Sequence, residues 1–451
     1  MYEKYKYGLS INRNMKLSRI VEFNTWWNDG RVREGLAPGY ERHMLAAVMP
    51  TLSKRQVTVL RGPRRTGKST MLYQAIRHLL SEGVDPKLIL YYSFDASEGD
   101  VQELLDEYGN SILGAPLDGT GRKYVFLDEV QKCEGWAEQV KRNYDLYRNV
   151  KFVLSGSVSF DIGAGATESL AGRASEMVLS PMSFGEYLGM RGIAAPGIGS
   201  PLKEFLMAET TVASRFRHYL DTGGFPEIVA VDDPEEIKEY VLSSVVQRAV
   251  YGDLFQRGGI GDPESMMALL RAIAETPGML LNYDRLGADI GRDRRTVSSY
   301  IARLEQAMII RTIGNFRRSA LSSSRKHRKA YPVSTALTYA FKGPSLDEAD
   351  IGRVVETAVL NEIGAGHFWR ERGNEVDFVL GRRGGTAVEV KLGGGDPHFD
   401  RYARRHPVER AFVVTKAEAG SSSSGSVRYS KVPAWALCAG AGVDGIRASP
   451  L

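Results

Sequence analysis

The sequence predicts an α/β fold, with a parallel sheet on the N-terminal side, a helical middle and a second α/β unit at the C-terminal end. Three observations carry this. The β-branched run "QVTVL" leads through the glycine-rich loop "RGPRRTGK" into "STMLYQAIRHLL", which has helical spacing; strand, tight loop and helix in that order form the repeating unit of a parallel sheet. The run Tyr124 to Leu127 in "KYVFLDEVQ" is continuously apolar, as expected of a strand covered on both faces. Near the C-terminus, "NEVDFVLGRRGGTAVEVKL" alternates with a period of two on either side of a glycine-rich turn, the pattern of a hairpin.

At 451 residues, 43% hydrophobic and 25% charged, the chain exceeds what one core supports and reads as an ordinary globular protein of several domains. Its net charge of +5 argues only weakly for an acidic partner, so the placement of the cations matters more. Cys133 and Cys438 are the only cysteines, which excludes a disulfide framework and zinc spacing and suits a reducing compartment. No apolar run approaches the roughly 18 residues of a membrane span. The opening "MYEKYKYGLSINRN" lacks the apolar core of a signal peptide. A cytoplasmic location with no membrane partner is the expectation.

Gly62, Gly67, Lys68 and Ser69 fit G-x-x-x-x-G-K-[ST] between a strand and a helix. Glycines let backbone N–H groups wrap a phosphate, and the helix N-terminus adds its dipole. The cradle comprises Gly62, Pro63, Arg64, Arg65, Thr66, Gly67, Lys68, Ser69 and Thr70, with ATP as ligand, Lys68 reaching the β- and γ-phosphates and Ser69 holding Mg²⁺. Asp128 and Glu129 close the second strand, at the edge where ligands of such sheets bind. Asp128 is therefore the second Mg²⁺ residue and Glu129 the base that orients and deprotonates water, making hydrolysis the expected reaction. A third strand, "VKFVLSGS", ends at Ser155 and Ser157, placed to sense the γ-phosphate. Arg173 ends "TESLAGR" before the next apolar run; it reads either as a cation reaching a neighbouring subunit's phosphate or as a helix C-terminal charge.

"GPRRTGKST", "YVFLDEVQ", "LSGS", "LAGRA" with "LSPMSFGEYL", and "YLDTGGFPEIV" together resemble the prokaryotic AAA-superclass (AAA+) ATPases whose C-terminal part is a domain of unknown function. The resemblance runs from about Glu41 to Leu392. It implies an AAA+ P-loop ATPase core with a helical lid, Ser155 or Ser157 as sensor, Arg173 as arginine finger, and a homo-oligomer, with a hexameric ring by analogy. The segment "GGFPEI" belongs to the resemblance but has no evident mechanism.

In the middle, "SMMALLRAIAETPG", "NYDRLGADIG" and "RRTVSSYIARLEQAMIIRTI" read as two short helices, a tight turn and a longer helix running into a strand. Val297, Ile301, Leu304 and Met308 recur at three- and four-residue steps on its buried face. This is a winged helix-turn-helix signature. Arg294 and Arg295 lie on the open face, and the wing "NFRRSALSSSRKHRK" brings Arg317, Arg318, Arg325 and Lys326 without an acid. Neutralised phosphates dominate nucleic-acid affinity, so nucleic acid is the expected partner, DNA ahead of RNA. Packing or protein contact is the other use of such a module.

In the C-terminal hairpin a turn about Arg383 sets Asp377 opposite Glu389, with Lys391 on the same face. Upstream, Glu356 shares an apolar helical stripe with Leu360 and Ile363, where an acid needs a partner. Glu356, Asp377, Glu389 and Lys391 resemble the PD-(D/E)xK nuclease superfamily, which implies metal-dependent phosphodiester cleavage. An exposed cross-strand salt-bridge ladder is the other reading of the same alternation. The tail "AEAGSSSSGS" reads as a loop before a final strand "YSKVPAWALC".

The predicted organisation is an N-terminal segment over residues 1–40, an ATPase core over 41–190, a lid over 191–265, a winged helix over 266–345 and a nuclease-like α/β domain over 346–451. The leading expectation is an ATP-driven machine on nucleic acid. The competing ones are an ATP-state-dependent regulatory switch and a protein remodeller whose C-terminal fold only binds.

Overall fold

The computed structural model describes residues 17–95, 99–156, 170–255, 262–317, 328–381 and 383–442. The chain divides into two compact units, Met1–Gly62 with Gly67–Leu179, and Pro63–Thr66 with Ser180–Leu451.

The first unit is built on a five-stranded sheet in the order β2-β3-β4-β1-β5. Its strands are β1 (Val57–Arg61), β2 (Ile89–Ser93), β3 (Lys123–Asp128), β4 (Val150–Gly156) and β5 (Ala174–Val178), and every pairing is parallel. β1 to β4 read as near-continuous apolar runs because both faces are covered. Val57, Val59, Leu90 and Tyr92 enter one core, while Leu60, Ile89 and Tyr91 enter the other. All four strands therefore deliver their C-terminal residues to one edge. The helix Lys68–Ser81 starts at that edge from Gly67, whose φ of 90° suits glycine.

β2 is an edge strand, and the segment before β1 covers it. Asn24 donates from Nδ2 to the Tyr91 carbonyl at 2.7 Å and accepts from the Tyr91 N–H at 2.7 Å. The indole N–H groups of Trp26 and Trp27 both reach the Ile89 carbonyl, at 3.1 and 2.9 Å. The "FNTWW" cluster thus anchors the N-terminal segment to the core and blunts an exposed edge.

The second unit begins with helices. Phe184–Met190 is held by a reciprocal capping box between Ser183 and Glu186. The helix Glu209–Thr222 ends at Gly223 and Gly224, both in the left-handed region, and the short turn Pro226–Ile228 follows. After Pro234–Tyr240 and Val241–Phe255 come Pro263–Glu275, Tyr283–Ile290 and Arg294–Gln306. Asp262, Asn282 and Asp293 cap the N-termini of these last three through side-chain bonds to backbone N–H groups.

The strands β6 (Met279–Leu280), β7 (Ile310–Asn315) and β8 (Arg328–Pro332) form an antiparallel ribbon with β8 in the centre. This ribbon is one end of a nine-stranded mixed sheet, β13-β14-β12-β11-β10-β9-β7-β8-β6. β7 joins β9 (His367–Glu371) in parallel through Gly314↔His367 and Asn315↔Phe368. β9, β10 (Asn374–Leu380) and β11 (Thr386–Val390) are antiparallel neighbours. β12 (Arg410–Thr415) pairs β11 in parallel, and β14 (Val427–Pro433) pairs β12 in parallel. The helices Glu348–Ile363, Phe399–Ala403 and Ala434–Ala439 accompany these strands.

Two expectations for the tail are corrected here. The serine run forms β13 (Gly420–Ser424), fully paired to β14, because backbone pairing to a central-facing strand outweighs the low strand preference of Gly and Ser. "AWALC" is not the end of a strand but the helix Ala434–Ala439, which starts after Pro433 and packs its apolar side chains into the core. No described helix is long and apolar enough to cross a membrane.

Candidate nucleotide site and the C-terminal ion cluster

At the C-terminal edge of the first sheet, Asp128 is the hub. It is 3% exposed. Its Oδ2 accepts from the Ser69 hydroxyl at 2.5 Å and from the Tyr91 hydroxyl at 2.9 Å. Its Oδ1 accepts from the Ser155 hydroxyl and, at 3.0 Å, from the Glu129 N–H. The Tyr91 phenol is held well above its ordinary value by burial and by the Asp128 charge, so it stays a donor. Lys68 is buried and donates to the Gly62 carbonyl at 3.1 Å across its own loop. The structure therefore brings Ser69, Asp128 and Ser155 together, with Lys68 one residue before Ser69.

Glu129 follows Asp128 with φ of 49°, a left-handed conformation that a non-glycine residue adopts only when its surroundings impose it. Its Oε2 accepts from the Gln131 amide at 2.6 Å. Ser157 lies outside the described residues. Arg173 sits in the turn before β5, where its carbonyl accepts from the Val57 N–H at 2.8 Å and its guanidinium pairs with Asp145 at 3.1 Å. That is the N-terminal end of β1 and β5, opposite to the edge that carries Lys68, Ser69 and Asp128.

The loop tip Pro63–Thr66 belongs to the second unit, and there its two arginines have carboxylate partners. Arg64 makes a two-pronged bond to Asp253, 2.7 Å on each side, and Asp253 is 2% exposed. Arg65, at φ of 64°, donates to both oxygens of Glu227 at 2.8 and 3.1 Å. Glu227 is the acid of "GGFPEI", so that segment acquires a role that local spacing could not disclose. Asp253 was likewise missed; its only signal is the single acid in the helix Val241–Phe255, near its end.

On the helix Arg294–Gln306, Val297, Tyr300, Ile301 and Leu304 are buried while Arg294 and Arg295 are exposed. Met308 departs from the expected stripe, since the helix ends before it and it takes φ of 45°. Arg294 pairs with Asp284 at 3.1 Å, both largely exposed. Arg317 is exposed, and Arg318, Arg325 and Lys326 lie outside the described residues.

In the C-terminal sheet the register Phe378↔Val388 to Leu380↔Thr386 turns the hairpin about Arg383. Asp377 accepts from the Val390 N–H at 2.8 Å. Glu389 is fully buried, accepts from the His398 N–H at 2.6 Å and lies 3.1 Å from Lys391 Nζ. A solvent-exposed ladder therefore does not describe this face. Sequence reasoning missed the central cation, Lys329 of β8, by counting it with the wing. Its Nζ lies 2.5 Å from Glu375, 3.3 Å from Glu356 and 3.9 Å from Asp377, and the Tyr331 hydroxyl donates to Glu356 at 2.6 Å. Burial, with the Glu356 charge behind it, pushes the Asp377 carboxyl up to about 8, and burial raises Glu389 as well. Burial alone would lower Lys329, but Glu356, Asp377 and Glu375 outweigh it and drive the ammonium up. A signal existed: Lys329 and Tyr331 share one strand face, and the acid on the apolar stripe at Glu356 needed a partner.

Residues 54–188 match the family model of an AAA domain, and residues 213–348 match that of a domain of unknown function (DUF8612). An uncharacterized protein of Haemophilus influenzae is 27% identical over 258 residues, 56% of this chain, and the match spans only 61% of that relative's length. An uncharacterized protein of Methanocaldococcus jannaschii is 23% identical over 343 residues, 73% of each chain. Among solved structures, Cdc6p from Pyrobaculum aerophilum aligns with 69% of this chain and 97% of its own at 11% identity and a TM-score of 0.27. The family match, with the parallel sheet and the phosphate loop, makes residues 54–188 an AAA domain.

Proposed function

We propose that this protein is an ATP-hydrolysing AAA+ ATPase that acts on nucleic acid, DNA ahead of RNA, with a C-terminal sheet that binds rather than cuts. The observation that carries the ATPase reading is the Ser69 hydroxyl on Asp128 at 2.5 Å, beside buried Lys68. A hydroxyl and a carboxylate oxygen side by side are the hard donors that suit Mg²⁺. Bound there with ATP, Mg²⁺ would draw charge from the β- and γ-phosphates. Lys68 supplies the fixed cation, Glu129 orients water and takes its proton, and the Ser155 and Tyr91 hydroxyls hold Asp128 in place.

For nucleic acid the support is the helix Arg294–Gln306, with exposed Arg294 and Arg295 at its start, beside the β7–β8 hairpin. The order of helix, ribbon and hairpin agrees with a winged helix, whose recognition helix offers its N-terminal residues to the duplex. Assembly as a homo-oligomer, with a ring of six by analogy, belongs to the same reading.

The test is phosphate release with duplex DNA, single-stranded DNA and RNA at two salt concentrations. We expect DNA to stimulate turnover and salt to weaken the stimulation. Glu129→Gln should retain ATP on a filter while hydrolysis falls by about 10²–10⁴-fold. Turnover without stimulation by any nucleic acid would replace the DNA reading by a regulatory switch or protein remodeller, and Glu129→Gln hydrolysing at the wild-type rate would overturn the site itself.

A further inference from the structure

We infer that the C-terminal carboxylate cluster is a metal-free ion cluster in which the Lys329 ammonium stands where a divalent cation would, welding the β7–β8 hairpin to β10 and to the helix Glu348–Ile363. This deepens the reading of a sheet that binds without cutting and rests on it.

The donor set does not fit Mg²⁺. A catalytic metal needs ionised oxygens converging at about 2.0–2.1 Å with room for water. Here one oxygen of Asp377 is taken by the Val390 N–H and one of Glu389 by the His398 N–H. Glu356, Glu375 and Asp377 converge on Lys329, not on a common void. Glu389 turns instead toward Lys391. Among the described residues no three His, Cys, Asp or Glu side chains are grouped to hold a metal.

Lys329 is also not a side chain that can step aside. It is 4% exposed and lies over the Phe368 ring, 5.4 Å from its centre. Its backbone is paired on both sides, with Ile313 of β7 and Leu280 of β6. For a metal to enter, a buried ammonium would have to leave its counter-charges while its strand stays fixed, and an unpaired buried charge is strongly disfavoured. Arg370, 3.6 Å from Glu375, adds a second positive charge at the rim. Lys329 and Arg370 thus put positive charge where a divalent cation would have to sit.

The test is a Mn²⁺ titration of the full chain without nucleotide, following free Mn²⁺ by electron paramagnetic resonance, on wild type, Asp377→Asn and Lys329→Met. We expect wild type and Asp377→Asn to titrate alike, and Lys329→Met to bind Mn²⁺ about tenfold or more tightly, with the gain lost when Asp377→Asn is added. A wild-type Mn²⁺ site that disappears in Asp377→Asn would overturn the inference. So would a folded Lys329→Met protein that gains no site. Should Lys329→Met fail to fold, the wild-type and Asp377→Asn pair still decides the question. The titration holds neither ATP nor nucleic acid, so its failure is separable from failure of the ATPase reading.

Discussion

Lys151 is where burial and charge conflict most openly in the first unit. It lies inside β4, fully buried, with its amine donating to the Gln56 carbonyl and, at 2.9 Å, to the Thr58 hydroxyl. Burial, with Arg122 and Lys54 nearby, lowers its pKa to about 7 from an ordinary 10.5. The unfolded chain therefore binds this proton more tightly than the folded one between those two values, and stability contributed by Lys151 rises with pH across that window. Urea midpoints at pH 6.5, 8 and 9.5 should climb more steeply for wild type than for Lys151→Met, whose slope lacks this component. Parallel slopes would show that Lys151 stays charged inside the sheet. The residues of the phosphate cradle were legible because their chemistry is local: a short run of chain fixes Gly62, Gly67, Lys68 and Ser69 relative to one another, and a buried strand aims Asp128. Lys329, Glu227 and Asp253 were harder to read for the opposite reason. Their partners Glu356, Arg65 and Arg64 are distant along the chain, and only folding makes them neighbours.

At the scale of elements, the turn Gly223–Gly224 shows why "GGFPEI" needs both glycines. Gly224 takes φ of 77°, its carbonyl accepts from the Met182 N–H at 2.8 Å, and a Cβ there would collide with the Met182 carbonyl. Gly224→Ala should lose about 2–4 kcal/mol, from backbone strain and displacement of a packed loop, read as a lower urea midpoint at unchanged slope. A loss under about 0.5 kcal/mol would mean the turn is not under this constraint. Helices and apolar strands were readable from periodicity, whereas β13 and the helix Ala434–Ala439 were not. Serines become a strand only when a partner such as β14 supplies the hydrogen bonds, and "AWALC" carries too few residues to show a helical period.

For the whole molecule, the placement of Arg173 is the most consequential. It lies at the far end of β1 from the phosphate loop of its own chain, so any contribution to phosphate chemistry has to come from another copy. Wild-type turnover per subunit should then rise with protein concentration, and Arg173→Ala should stay slow throughout, by as much as about 10³-fold at saturation. Its pairing with Asp145 is exposed and worth little, so the variant should melt like wild type. Equal turnover of the two proteins at every concentration would leave Arg173 as a surface cation.

The continuous sheet from β6 to β13 bears on how this chain can have been assembled and how it can be taken apart. Since β7 is stitched to β9, and the acids around Lys329 come from the segment that follows, the β7–β8 hairpin cannot be cut from that segment without leaving a raw strand edge and an unanswered charge in its interior. A gene fusion or deletion that broke the chain near residue 345 should yield two insoluble fragments, although the sequence alone suggests a boundary between two domains there.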